Sequence, residues 1–310
     1  MNRMQAFRID RFGGPEVLHR EHVTVPAPRD DQVLVKVAAA SLNPVDVKTR
    51  SGGYPPVQEA QLPYTLGRDC AGMVQSSGDQ HGPFRAGQPV YAFIGQGQGS
   101  YAEYALVPRE ALAPKPESLD LVEAAAVPLA ALTAWQGLFD HGRLQPGQTV
   151  LIHAASGGVG HFAVQFAKAR GAHVVATASG EAAEFVRSLG ADKVIDYRRA
   201  PFERHTGPVD MVFDLVGGDT QDRSWAVLKD GGVLVSTVSA PSADEAAARG
   251  VRAVRYTARA DGAELALIGR LIDAGCVRVH VSEIYPFDAM QQALHRLEEG
   301  HNRGKMVVRL

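Results

Sequence analysis

The chain of 310 residues has little cysteine, almost no excess charge and no long apolar run. Its two cysteines, Cys70 and Cys276, make no C-x-x-C pair and cannot staple a disulfide framework, so a reducing compartment is expected. With 32 basic against 34 acidic residues the formal net charge is -2, and nothing electrostatic points to a nucleic-acid partner. A membrane helix needs roughly 18 apolar residues or more. The longest candidate, Ala124 to Trp135, falls short and contains Pro128. The opening MNRMQAFRID lacks the apolar core of a signal peptide. A soluble, cytoplasmic protein with no membrane or nucleic-acid partner is therefore expected. Metal ligands are scarce too. A catalytic zinc takes about three Cys, His or carboxylate ligands. Here the cysteines are isolated and the histidines scattered, so no metal site is expected. Ser156 lies outside a G-x-S-x-G frame, which argues against a nucleophile elbow.

What the chain has in excess is turn-forming residues, 32 Gly and 18 Pro, with no G-X-Y period to absorb them. The length suggests about two domains. The first third reads as short strands and turns. Val33 to Ala39 and Tyr101 to Val107 are strand candidates, and Ser51-Gly52-Gly53, Gly78-Asp79 and the glycine run from 95 to 99 are turn clusters. Beyond Pro114 the pattern changes. Leu121 to Phe139 is helix-prone with a break at Pro128. From Thr149 strands and helices alternate: strands at 149–154, 173–178, 193–196, 209–214, 233–238 and 251–256, helices at 159–170 and 182–189. That alternation predicts an α/β fold with a doubly wound parallel sheet of Rossmann type. The end reads as helix (265–274), strand, helix (289–299) and a final strand KMVVRL, whose strands are expected to pair with the first domain.

Chemistry concentrates in residues 149–179, TVLIHAASGGVGHFAVQFAKARGAHVVATAS. Ala155-x-Gly157-x-x-Gly160 fits G-x-G-x-x-G with Ala in first place, after a buried strand and at the start of a helix. Small residues are required there: the turn is tight, a pyrophosphate must reach main-chain N–H groups, and the helix must approach the strand. The alternative is a tight turn with no ligand. An NAD site carries an acidic residue at the tip of the second strand. Here that tip reads Ala178-Ser179, which favours NADP; Glu181, two residues on, works against it.

The chain resembles the zinc-free quinone oxidoreductases, the ζ-crystallin-like branch of the medium-chain dehydrogenase/reductase superfamily. The resemblance rests on ASLNPVDVKTRSG (40–52), LPYTLGRDCAGMV (62–74), PLAALTAWQGL (128–138), AASGGVG (154–160), SLGADKVIDY (188–197), FDLVGG (213–218), LKDGGVLVS (228–236) and GHNRGKMVVRL (300–310). It implies a discontinuous GroES-like β-rich catalytic domain (1–124 and 272–310), a Rossmann nucleotide-binding domain (125–271), the cofactor in the cleft between them, and homodimers through the edge of the nucleotide-binding sheet. Zinc alcohol dehydrogenases of the superfamily carry Cys in the segment matching Ser41 to Asp46 and His-Glu where this chain has Arg68-Asp69.

Carried over position by position, the resemblance implies Asn43 near the nicotinamide, with Asp46 either at the site or structural, and Tyr54 near the substrate. Asn43 and Tyr54 are the catalytic candidates. For NADP(H) it implies Thr133 at the ribose and phosphate, Ser156, Gly157, Gly158, Val159 and Gly160 at the pyrophosphate, and Ser179 and Tyr197 at the 2′-phosphate. Val216 and Gly217 fall on the adenosine side, Ser236, Val238 and Ser239 on the nicotinamide side, and Lys305 within reach of the cleft. Relatives commonly have Lys or Arg where this chain has Glu181; Arg198 and Arg199 are the candidates to offset it. The activity implied is NADPH-dependent reduction of quinones or enones without metal. The rivals are an NADPH-binding sensor or scaffold with little turnover, and a zinc alcohol dehydrogenase, which the ligand count opposes.

Overall fold

The computed structural model describes residues 2–79, 81–95, 97 and 99–310. Gln96 and Gln98 of the glycine run therefore lie outside the described residues. In chain order the strands are β1 (Arg3–Ile9), β2 (Leu18–Thr24), β3 (Gln32–Ser41), β4 (Tyr64–Thr65), β5 (Asp69–Ser77), β6 (Pro89–Phe93), β7 (Tyr104–Pro108), β8 (Leu112–Pro114), β9 (Thr149–Ile152), β10 (His173–Ala178), β11 (Lys193–Asp196), β12 (Val209–Asp214), β13 (Leu228–Ser236), β14 (Arg252–Arg255), β15 (Val281–Pro286) and β16 (Lys305–Arg309). The α-helices are α1 (Pro44–Arg50), α2 (Leu121–Ala125), α3 (Pro128–Trp135), α4 (Gly158–Ala169), α5 (Ala183–Ser188), α6 (Gly218–Ser224), α7 (Ala243–Ala248), α8 (Gly262–Asp273) and α9 (Met290–Glu298). Two compact units result: residues up to Leu129 with Arg259–Gly275 and everything from Val279, and Ala130–Ala258 with Cys276–Arg278.

The first unit holds a three-stranded sheet, β2-β1-β4, and a seven-stranded sheet in the order β15-β16-β3-β5-β6-β8, with β7 also on β3. The last strand of the chain sits antiparallel to the third: Val307 faces Ser41, Val308 faces Ala40 and Arg309 faces Ala39. This pairing puts Lys305 beside the segment that leaves β3. Phe7, Ile9, Leu42, Leu66, Tyr101 and Met306 pack in one apolar cluster, joined by Met290 and Leu294 from α9. The helix α8 packs on β8 within this unit.

In the second unit, short apolar runs form a sheet of the kind buried on both faces. Val150, Leu151 and Ile152, Val212 and Phe213, and Leu234 and Val235 are all fully buried. The six strands run parallel in the order β11-β10-β9-β12-β13-β14, which makes the β9–β12 boundary the place where strand order reverses. Pro128 opens α3 rather than breaking a longer helix, and Gln136–His141 continues as π-helix. No helix among the described residues is long and apolar enough to cross a membrane.

Candidate functional site

The carboxyl end of β9 is shaped for an anion. The strand stops at Ile152, Ala154 adopts φ +50, and α4 starts at Gly158. A left-handed alanine costs of order 1 kcal/mol. It is held by the Ala155 N–H on the Thr177 carbonyl (3.0 Å) and the Gly157 N–H on the Ala154 carbonyl (3.0 Å). Gly160 permits the approach of α4: a Cβ there would stand 2.3 Å from the Ala154 carbonyl oxygen and 2.7 Å from the Ala155 Cα. Gly157 is the N-cap residue and offers no side chain to cap the helix. The helix begins with the His161 N–H on the Gly157 carbonyl (3.0 Å), leaving the N–H groups of Gly158 and Val159 with no acceptor among the described residues. A helix of 12 residues with an uncapped amino end fits a pyrophosphate.

Across the reversal point Asp214 closes β12 and is fully buried. Its Oδ1 accepts the N–H groups of Val216 (3.0 Å) and Gly217 (2.9 Å); its Oδ2 accepts the Ser236 hydroxyl (2.8 Å) and the Gln221 amide (2.8 Å). The Ser236 oxygen in turn accepts the Val238 N–H (3.1 Å), with Ser239 N–H at 3.4 Å. One carboxylate thus organises two loops and brings Val216, Gly217, Ser236, Val238 and Ser239 together. Gly217 takes φ +77, and Val216 and Val238 are left exposed. His153 lies beneath, fully buried between Thr177 (3.0 Å) and Ser224 (2.9 Å). Burial pushes its pKa down to about 4, so it stays neutral. The Ser224 hydroxyl is spent on the Thr220 carbonyl (2.6 Å), so His153 donates from Nε2 and accepts from Thr177 at Nδ1.

The neighbouring strands β10 and β11 end side by side, and the Tyr197 N–H reaches the Ala178 carbonyl (3.3 Å). Ser179 precedes a single 3-10 turn, and Tyr197 is exposed with the Arg198 guanidinium 5.9 Å from its ring centroid. Arg198 also lies 3.9 Å from Glu181, and Arg199 pairs with Asp196 at 3.5 Å. Thr133 sits on α3, and its carbonyl accepts the Tyr256 hydroxyl.

The first unit contains a buried polar cluster of its own. Asn43 caps α1, ahead of Pro44. Its N–H donates to Asp46 Oδ2 (2.9 Å), and its side-chain amide donates to Asp69 Oδ2 (2.9 Å), with the Ser41 carbonyl at 3.4 Å. Its Oδ1 accepts from Lys305, whose ammonium also reaches the Leu42 carbonyl (2.9 Å) and lies 3.9 Å from Asp69. Asp69 further accepts the Ser41 hydroxyl (2.6 Å) and the Leu129 N–H (2.7 Å). Burial raises the Asp69 pKa, with Lys305 opposing, and lowers that of Lys305, with Asp69 opposing. The Asn43 amide is thus committed at both ends inside the unit, whereas Tyr54 is partly exposed and stacks on Arg68, 5.0 Å from ring centroid to guanidinium.

Asp46 is fully buried. Its Oδ2 accepts the Tyr101 hydroxyl (2.8 Å), while its Oδ1 has no partner among the described residues. Burial pushes its pKa up to about 6 against the pull of Arg68, Tyr101 and Asn43. The folded value lies above the unfolded one, so the native state binds the extra proton, and stability falls as pH rises through roughly 4 to 6. A rise from the ordinary carboxylate value to about 6 corresponds to about 3 kcal/mol. Asp46→Asn is expected to remove this slope: the gap in unfolding free energy between variant and parent, measured by denaturant titration, shifts in favour of the variant by about 2–3 kcal/mol from pH ~4 to ~7. A gap independent of pH would rule this out.

Among the described residues these side chains form no zinc-binding cluster. Asp46 and Asp69 are engaged by Tyr101, Ser41, Asn43 and Lys305, and Arg68 brings a cation. Burial keeps the Cys70 thiol protonated. Among the described residues no group of three or more His, Cys, Asp or Glu could hold a metal ion. The sequence reading did not single out Asp214 or His153, and treated Arg68 and Asp69 only as a departure from zinc relatives. A carboxylate closing a buried strand just before Gly217-Gly218 was the signal available for Asp214.

Residues 29–117 match the family described as alcohol dehydrogenase GroES-like domain, and residues 189–308 the family described as zinc-binding dehydrogenase. The chain is 36% identical over 317 residues to the chloroplastic NADPH-dependent alkenal/one oxidoreductase of Arabidopsis thaliana, covering 98% of this chain and 79% of that one. Among solved structures, the quinone oxidoreductase of Coxiella burnetii superposes with a TM-score of 0.94 at 36% identity, covering both chains completely (100%). The Escherichia coli quinone oxidoreductase complexed with NADPH gives 0.89 at 29% identity, covering 99% and 100%.

Proposed function

The chain belongs to the medium-chain dehydrogenase/reductase superfamily, beside its quinone oxidoreductases and alkenal/one reductases, and from that premise we propose that it reduces quinones or α,β-unsaturated carbonyls with NADPH and without metal. It is an oxidoreductase using a nicotinamide cofactor. The observation that carries the finer proposal is the identity of the fixed positive charges around Asn43 and Tyr54. They are the buried side chains of Lys305 and Arg68, set where a metal would need ligands.

Bound NADPH supplies the hydride. The second unit holds the dinucleotide: the amino end of α4 takes the pyrophosphate, and Ser179, Tyr197 and Arg198 take the 2′-phosphate. NADPH is preferred because no carboxylate closes β10 and Glu181 is drawn toward Arg198. The first unit supplies the acceptor side. A conjugated acceptor moves its negative charge to an oxygen remote from the attacked carbon, as enolate or phenolate, and a hydrogen-bond donor suffices to stabilise it. An isolated ketone leaves a localised alkoxide that calls for a Lewis acid. The Tyr54 hydroxyl is the donor, since the Asn43 amide is committed elsewhere. Water delivers the proton.

Steady-state oxidation of NADPH with a panel of quinones, enones, ketones and aldehydes is expected to show turnover for the conjugated members only, and weaker turnover with NADH. Tight NADPH binding with no turnover across the panel would replace this activity with a sensor or scaffold role.

A further inference from the structure

Arg68 is a buried cation without an ion pair. It is 3% exposed, as is Arg50. Arg50, however, is matched by Glu298, at 2.6 Å and 3.4 Å. Around Arg68 no carboxylate stands within 4.0 Å among the described residues. Its Nη1 donates to the Gly95 carbonyl (2.5 Å) and its Nη2 to the Thr49 hydroxyl oxygen (3.3 Å). Beyond contact distance the buried Asp46 carboxylate feels its charge, and two rings flank it: the guanidinium lies 5.0 Å from the Tyr54 ring centroid and 6.0 Å from that of Tyr64. Burying a charge without a counter-charge in contact is costly, and the more distant Asp46 and two ring faces recover only part of that cost.

We propose that Arg68 is a positioning residue for acceptor reduction: it seats the Tyr54 ring and lends its fixed charge to the oxyanion that the Tyr54 hydroxyl meets. The proposal rests on the acceptor class given above. The hydride would leave a C–H bond of NADPH with both electrons, oxidising it to NADP+, and form a C–H bond at the β-carbon of the acceptor; the C=C pair becomes the bond between the α-carbon and the carbonyl carbon, and the C=O π pair moves onto the oxygen, which becomes the enolate oxygen. Tyr54 donates a hydrogen bond to that oxygen, and a solvent proton then completes the saturated product. Arg68 transfers no proton in this sequence of steps.

Arg68→Met, Arg68→Lys and Tyr54→Ala, alone and combined, test this. Arg68→Met is expected to lower kcat on an enone by about 30-fold with the KM for NADPH within about twofold of the parent, less than the roughly 100- to 1,000-fold cost of losing a direct oxyanion donor. Arg68→Lys restores part of it, because the charge remains while the planar fork is lost. In the Tyr54→Ala background, Arg68→Met should cost less than about twofold, because its partner is already gone. Equal costs in both backgrounds, or full activity in Arg68→Met, would overturn the proposal. An equilibrium readout separates it from the activity itself. p-Nitrophenol bound to the NADP-loaded protein should ionise at a pH about one unit lower in the parent than in Arg68→Met or Tyr54→Ala, followed by absorbance. Identical ionisation in parent and variants, including no perturbation in either, refutes Arg68's part even if no acceptor is turned over. Absence of turnover in the parent with the p-nitrophenol shift present overturns only the acceptor class. If Arg68→Met fails to fold, Arg68→Lys against Tyr54→Ala gives the same comparison.

Discussion

Gly160→Val is expected to abolish NADPH binding and to lower the unfolding free energy by about 3 kcal/mol. The obstacle is backbone, not a side chain that can swing aside. The added carbon would stand 2.3 Å from the Ala154 carbonyl oxygen and 2.7 Å from the Ala155 Cα. Ala154 is already in the left-handed region, at φ +50, so the turn has little room to yield. The helix must then back away from β9 and carry its free N–H groups with it. Gly157→Ala provides the contrast. Its Cβ would meet only the Ala154 carbonyl oxygen, at 3.4 Å, so the fold should tolerate it. It would nonetheless fill the space through which a pyrophosphate approaches the main chain. Fluorescence titration with NADPH and denaturant unfolding separate the two: Gly160→Val loses both binding and stability, whereas Gly157→Ala loses affinity with stability nearly unchanged. If Gly160→Val binds NADPH as the parent does, this view of the turn is wrong.

The second large effect is expected at Lys305. Lys305→Met leaves Asp69 buried without its cation and the Asn43 oxygen without its donor. Removing one partner of a buried pair costs about 3–5 kcal/mol. Part of the loss should return on acidification. Burial already raises Asp69, and without Lys305 it rises further. The folded variant then takes up a proton that its unfolded chain lacks, and the deficit against the parent narrows as pH falls. Combining Lys305→Met with Asp69→Asn should restore much of the stability at neutral pH, because the uncompensated charge is gone. Denaturation midpoints for the four proteins of this cycle decide it. A double variant as unstable as the sum of the singles would show that the pair is not coupled.

The readable part of the fold is the part buried on both faces. The strands at 149–152, 173–178 and 209–214 announce themselves by their apolar residues, because the middle of a parallel sheet meets protein on both faces. The first unit is legible only in part: β3, β7 and β16 are readable as strands, whereas β2 and β5 are not. β2 reads LHREHVT, with charged residues on its exposed face, and β5, DCAGMVQSS, carries Gly72 in its middle. Neither pattern separates strand from loop locally. The same divide runs through the site. The turn from Ala154 to Gly160 is contiguous, and its spacing states its purpose. Asp69, Arg68 and Asp214 acquire theirs from partners such as Lys305, Tyr54 and Ser236, which are remote in the chain. Asn43 was visible, but not that both ends of its amide are occupied, since that depends on Asp69 and Lys305 arriving together.

Finally, β16 is synthesised after every other described strand yet lies between β15 and β3 in the finished sheet. On the ribosome the segment 130–258 can therefore close its own core while the earlier part of the chain is still waiting for its tail. Domains usually complete in the order in which they emerge; here the order is inverted. Until residues 305–309 arrive, the Ala39–Ser41 end of β3 presents unpaired backbone, and Asp69 has no ammonium beside it. That nascent edge is where a chaperone has most to protect, and where a truncated product would associate with others.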